Sequence, residues 1–360
     1  MKSIYTTSKS LQSMKNVFLL TSQISCFLSF FFLIHFTKEL LFSIIISTLT
    51  IILLIIYKKK FKNNQKNWFG GEILLCVLML VMIFHLPFYY LSSSRITYKM
   101  PKKDDTIIKI DTFLLGWIFK HGQLSIYLDN NDYIGPHTTI GKLINNILQV
   151  FYLFYYIIPY TTLYAICEAN CIKEIVYRYI NNGQKSYSYN RHWKNAFFMF
   201  GVYNITYILV FLINTLVPAG SPRIFLKNEY KHTLNLSGFP KFLNNICKDD
   251  KSANSFPSGH VAETICFAFA FFGVGKKLEG FIFLFCSIMI IFATLFLRYH
   301  YFSDVLIALL IAGFGFNFNY YYGYIREEYT INKKKEKNVI YMINENLFSN
   351  AFIILYNIFY

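Results

Sequence analysis

Two histidines and an aspartate carry the chemistry open to this sequence. His260 closes the run Phe256-Pro-Ser-Gly-His260, and 40 residues later His300 begins His300-Tyr-Phe-Ser-Asp304. An imidazole can attack phosphorus and hold it as a phosphohistidine. Asp304, one helical turn past His300, can fix the ring tautomer and stabilise the imidazolium. His260 can protonate a leaving alkoxide and then activate an acceptor hydroxyl. Ser258 and Gly259 precede an apolar run. A helix starting there would offer free N–H groups and its positive dipole end to an anion. Arg223 ends Pro218-Ala-Gly-Ser-Pro-Arg223, and Arg298 stands two residues before His300. Arginine grips phosphate oxygens with a planar fork of donors. The set reads as a phosphoryl-transfer site. His260, His300 and Asp304 are its catalytic groups, and Arg223, Ser258, Gly259 and Arg298 its phosphate contacts.

Such scattered groups need a scaffold. Of the 360 residues 55% are hydrophobic, 20% aromatic and 15% charged, against about 25% charged in a soluble chain. Continuous apolar runs of about 20 residues recur, which fits spanning helices and argues against a membrane β-barrel. The expected fold is all-α, a polytopic membrane bundle with eight spans near 17–36, 39–57, 72–91, 148–167, 197–217, 259–275, 279–297 and 303–324. Two spans separate the histidines, so the chain crosses and returns, bringing His260 and His300 to one membrane face. Residues 104–145 are expected to lie on the surface, and 325–346 to be solvated. The organisation reads as a two-helix extension (1–71), a six-helix core (72–324) and a cytosolic tail (325–360).

The net charge of +16 comes from 29 Lys and 6 Arg in an Asn-, Ile-, Tyr- and Phe-rich chain. It speaks for cytosolic loops at an anionic lipid surface, and no module for nucleic acid is present. With the N-terminus in the cytosol, cytosolic segments hold 20 Lys and Arg and the opposite segments 15. All three motifs then face the lumen or exterior. Cys26, Cys76, Cys266 and Cys286 sit in apolar runs as small hydrophobes, and no cysteine spacing suggests a metal or disulfide framework. His35, His85 and His137 lack matching partners and read as interfacial. Asp249-Asp250 reads as solvated charge, and Asn235-Leu-Ser237 is a glycosylation sequon. No cofactor and no metal ion is expected.

On these motifs the chain resembles the type 2 phosphatidic acid phosphatase superfamily, over about residues 72–320. Within it, the chain looks most like the inositol phosphorylceramide synthase branch of the sphingolipid synthases. The superfamily's Pro-Ser-Gly-His matches 257–260, and its His-x-x-x-Asp matches His300 and Asp304. The resemblance implies His300 as nucleophile, Asp304 as its orienter and His260 as acid/base. It also implies Arg223, Ser258 and Gly259 as phosphate contacts. The phosphatases' Lys seven residues before the Arg is Leu216 here, and their Arg six residues before the His is Thr294. Both departures point to the synthase branch, with Arg298 replacing one cation. The Gly of Pro-Ser-Gly-His points back to the phosphatases, since the branch usually carries Leu there. The implied activity moves a head-group phosphate from a phospholipid donor to ceramide in a Golgi or other secretory-pathway membrane. A lipid phosphate phosphatase using water is the alternative. A non-catalytic transporter or scaffold is a second one.

Overall fold

The computed structural model describes residues 14–24, 48, 52, 53, 55, 56, 70–80, 100–119, 122–186, 188–247 and 254–321. Most of the first two expected spans, the second half of the third, and the tail beyond 321 lie outside the described residues. So do Asp249, Asp250, Cys26, His35 and His85. The described residues are helical apart from loops and one isolated bridge, Ala219 to Asn254.

Beyond short helical stretches at 14–24 and 70–80, the chain runs through eleven helices among the described residues. These are α1 Asp104–Leu115, α2 Leu124–Asp129, α3 Thr139–Phe154, α4 Ile158–Ile166 and α5 Lys173–Ile180. Then follow α6 Tyr189–Leu216, α7 Pro222–Phe225, α8 Gly238–Cys247, α9 Gly259–Gly273, α10 Lys277–Phe296 and α11 Phe302–Tyr320. Helices α6, α10 and α11 are long and apolar enough to cross a membrane, and α9 and the stretch 70–80 are shorter apolar helices. They coincide with the expected fifth, seventh, eighth, sixth and third spans. The expected fourth span, 148–167, is not one helix. It breaks at 155–157 between α3 and α4. Pro159 in the first turn of α4 lacks the N–H that a continuous helix would need and disfavours helical backbone in the residue before it. Helix α4 runs into α5 through a π-helical turn, Cys167–Ile172.

Helix α9 is the hub, packed against α6, α10 and α11, while α10 also packs on α3. Nearly all of α9 is buried, its polar His260, Glu263 and Thr264 included. Helices α6 and α11 approach closely through small residues. A Cβ on Gly315 would stand 2.5 Å from Thr206 Oγ1, and one on Gly201 would stand 2.3 Å from Asn319 Oδ1. Small residues at such crossings let backbones meet where lipid supplies no hydrophobic drive. On α10, Leu278, Phe281, Ile282, Phe285, Ile288 and Phe292 form an outward apolar stripe at helical spacing. A bilayer covers such a face; water would not. The apolar helices make this an integral membrane protein.

Candidate active site

Three loops converge where α9 and α11 begin. Ser255 N–H donates to the Ala219 carbonyl at 2.9 Å, tying the loop before α9 to the loop after α6. Arg223 N–H donates to the Arg298 carbonyl at 2.9 Å, and Ser221 Oγ donates to the same carbonyl at 2.8 Å. Arg298 reaches this position in a left-handed conformation, with φ of +64°, which is costly for a side chain with a Cβ. Ser258 N–H donates to the Asp304 carbonyl at 3.2 Å, so the starts of α9 and α11 are tied directly.

These ties bring His260, His300 and Asp304 together, all buried. His300 Nδ1 lies 2.8 Å from the Ser255 carbonyl oxygen and 3.1 Å from Asp304 Oδ2. A carbonyl oxygen only accepts, so Nδ1 carries the proton and Nε2 keeps its lone pair. That lone pair faces His260 Nδ1 at 3.4 Å. Asp304 Oδ2 also accepts from Ser255 Oγ at 2.7 Å and from Tyr301 N–H at 2.9 Å. The His260 ring is wrapped by tyrosines from the α3–α4 region. Tyr152 stacks on it at 4.6 Å and Tyr155 lies against it at 3.9 Å. Tyr156 OH stands 3.5 Å from its Nε2.

The expected phosphate contacts surround the same corner. Ser258 is the N-cap of α9, its hydroxyl accepting from Val261 N–H at 3.4 Å. A hydroxyl that accepts still has its own proton to donate. The N–H groups of Gly259 and His260 have no partner within the helix. A Cβ on Gly259 would meet its neighbours at 3.6 Å and 3.7 Å, ordinary contact, so the protein itself does not fill that space. Arg223 lies 4.4 Å over the Tyr299 ring, and its Nη2 donates to Asn244 Oδ1 at 2.6 Å. Its other terminal nitrogen, Nη1, is buried without a hydrogen-bond partner among the described residues. Arg298 is engaged differently. Its Nη2 donates to Asp129 Oδ1 at 2.6 Å and to the His232 carbonyl at 3.0 Å, and the guanidinium lies 3.9 Å from the Tyr230 ring centre. Burial lowers the Arg298 pKa, against the opposing pull of Asp129. Burial also pushes the Tyr230 phenol up to about 12. Thr294 and Leu216 bring no cation. The Thr294 carbonyl instead accepts from the N–H groups of Tyr299 and His300, and Leu216 is exposed.

Sequence reasoning missed the groups that hold this corner. Asp104 accepts from Gly220 N–H and from Tyr301 OH, each at 2.9 Å. Asp111 accepts from Phe302 N–H at 3.0 Å and Ser303 N–H at 2.8 Å, capping the first turn of α11. Burial raises its pKa to about 6. Asp129 accepts from Lys231 N–H at 2.7 Å in addition to holding Arg298. All three acids are buried, and all lie in the stretch expected to be a surface segment. Part of the signal was present: Asp104, Ile107, Asp111 and Leu115 recur at helical spacing on the one buried face of α1. His137 also has a partner, its ring lying tilted against that of His232 at 4.1 Å. Asn235 and Lys103 are exposed. No group of three or more His, Cys, Asp or Glu able to hold a metal ion occurs among the described residues.

Fold and site together define an all-helical membrane protein with a histidine pair where two helices begin. Two comparisons with known proteins find relatives. Residues 191–327, from the start of α6 past α11, match the PAP2 superfamily. A PA-phosphatase related-family protein of Dictyostelium discoideum is 35% identical over 214 residues. The alignment covers 57% of this chain and 37% of that protein, so the chain spans little more than a third of its relative. No solved structure matches.

Proposed function

We propose that the chain is a membrane enzyme that transfers a phosphoryl group from a lipid phosphate ester through a phosphohistidine at His300. One observation carries this reading. Nδ1 of His300 is held by the Ser255 carbonyl and Asp304, and Nε2 is left as a lone pair facing His260. In the first half-reaction Nε2 bonds to phosphorus as the P–O bond to the leaving group breaks, and protonated His260 supplies the proton. In the second, an acceptor hydroxyl gives its proton to His260 as its oxygen attacks the phosphohistidine. Asp304 stabilises the charge on the His300 ring. Arg223, Ser258 and the first N–H groups of α9 neutralise the phosphoryl oxygens. Arg298, with its charge committed to Asp129, contributes positive potential and holds the Arg223 backbone.

For the acceptor we propose the primary hydroxyl of ceramide, with a glycerophospholipid as donor. The reading draws support from Leu216 and Thr294, which remove both extra cations of the simple phosphatases. A second reading, with water as acceptor, is favoured by the name of the Dictyostelium relative and by the Gly259 of Pro-Ser-Gly-His. In either case the site is proposed to face the lumen or exterior of a secretory-pathway membrane. The test uses purified protein in vesicles with labelled ceramide and, separately, phosphatidylinositol or phosphatidylcholine. A parallel assay follows inorganic phosphate released from phosphatidic acid. Labelled phosphosphingolipid that forms only with donor present supports the transferase. Phosphate release without ceramide consumption selects the phosphatase. Activity that survives loss of both histidines would end the proposal.

A further inference from the structure

The hydrogen-bond order around the two histidines fixes where each proton stands. The Ser255 carbonyl makes His300 Nδ1 a donor, so Nε2 is an acceptor, so His260 Nδ1 donates to it across 3.4 Å. His260 Nε2 is then the acceptor of that ring, and Tyr156 OH, 3.5 Å away, is the group that donates to it. This order gives the two nitrogens of His260 different places in the reaction. A phosphorus ready for attack stands about 3–3.5 Å from its nucleophile. His260 Nδ1 stands 3.4 Å from His300 Nε2, so it is the nitrogen beside the attacking atom. The leaving oxygen lies further out, on the far side of the phosphorus. Nε2 is the nitrogen of His260 turned away from His300, and Tyr156 is what it meets there.

We infer that Tyr156 is a further catalytic residue, relaying the proton between His260 Nε2 and the leaving or acceptor oxygen of the lipid. The inference rests on the phosphoryl-transfer reading above. When phosphate enters, His260 Nδ1–H turns from His300 to a non-bridging oxygen, and Nε2 takes up a proton from solvent. As the P–O bond breaks, the Tyr156 hydroxyl proton goes to the leaving oxygen while Nε2–H reprotonates the phenol oxygen. In the second half the acceptor's proton passes to the Tyr156 oxygen, whose own proton returns to Nε2. The position suits this role. Tyr156 lies in the break between α3 and α4 and is 42% exposed, so a lipid hydroxyl can reach it from outside, whereas His260 is buried. Tyr155, its neighbour, lies tilted against the same ring but sends its hydroxyl to Glu263.

The test compares Tyr156→Phe with wild type on two labelled phosphate esters. One is an alkyl lipid phosphate, whose leaving oxygen needs a proton. The other is an aryl phosphate, whose leaving oxygen does not. Tyr156→Phe should slow phosphoenzyme formation from the alkyl ester by about 10–10²-fold more than from the aryl ester. With the aryl ester, acid-labile label should build up on His300, because acceptor deprotonation has become slow. Tyr155→Phe keeps a ring against His260 and should lose equally on both esters. Equal losses by Tyr156→Phe on both esters, no trapped label, or the same ester preference in Tyr155→Phe would overturn the relay. Wild-type protein inactive on both esters would instead defeat the phosphoryl-transfer reading, and the relay with it.

Discussion

Replacing Asp304 by Asn isolates what its charge contributes. In a triad whose histidine has one partner for Nδ1–H, the amide turns the ring to the wrong tautomer at a cost of about 10⁴ in rate. Here Nδ1 has a second acceptor, the Ser255 carbonyl at 2.8 Å, closer than the carboxylate at 3.1 Å. A backbone carbonyl survives the substitution, so the tautomer should survive too. What is lost is the difference between a charged and a neutral hydrogen bond to the developing imidazolium. Bonds to charged groups contribute about 1.5–3 kcal/mol and neutral ones about 0.5–1.5 kcal/mol. The difference of about 1–2 kcal/mol is about 5–30-fold in rate. Asp304 Oδ1 is buried with no partner among the described residues, and an amide N–H₂ there would be unsatisfied. Some loss of folded protein is therefore expected, and rates must be taken per active site. The assay is single-turnover labelling of His300, normalised to the amplitude of the burst. A loss near 10⁴-fold at full amplitude would refute the claim that Ser255 holds the tautomer.

Other outcomes follow from the same geometry. Arg223→Lys keeps the charge but loses the fork between Asn244 and the buried Nη1 position, and kcat/KM should fall about 10–10²-fold, the loss of one charged hydrogen bond. At the 70–80 stretch, Glu72 is buried against Arg178 and also accepts from Tyr189 OH at 2.6 Å. Arg178→Ala should destabilise by about 3–5 kcal/mol, seen as a lower Tm in detergent, and Glu72→Gln added to it should restore part of the loss. Protease protection in sealed vesicles should leave Lys103 and Asn235 on one side and tags at both termini on the other; a tagged C-terminus on the side of Asn235 would overturn the eight-span topology.

The meeting of His260, His300 and Asp304 was legible because it is written in local spacing. A His and an Asp four apart stand within reach of each other, here with His300 just ahead of α11 and Asp304 in its first turn, and a Pro-Ser-Gly turn before an apolar run starts a helix. The long apolar helices were legible for the same reason, since each satisfies its own backbone. What could not be read was the support that arrives from far away. Ser255 directly precedes the Phe256-Pro-Ser-Gly-His260 run, yet its carbonyl matters only because the fold carries it to His300, 45 residues on. Asp111 caps a helix 191 residues later, and Asp129 holds Arg298 across 169 residues. No pattern in a single sequence pairs groups so distant. The break at 155–157 was legible in principle from Pro159. The continuous apolar run around it masked the proline, and the turn it creates is what places Tyr156 at His260.

The length of α9 has a consequence for where in the membrane any reaction takes place. Its 15 residues rise about 22 Å, while the hydrocarbon layer is about 30 Å thick. Helices α10 and α11, with 20 and 19 residues, come close to matching it. Lys276 and Lys277, exposed between α9 and α10, belong at a water boundary. Measured up from them, His260 stops short of the opposite boundary, so the histidine pair lies beneath the plane of the surrounding head groups. Under the proposed reaction a lipid phosphate sinks below its neighbours to reach His300, or the bilayer thins beside α9. Acyl-chain length then becomes a control on turnover: short-chain membranes bring their phosphates down to the histidines, and thick ones hold them away.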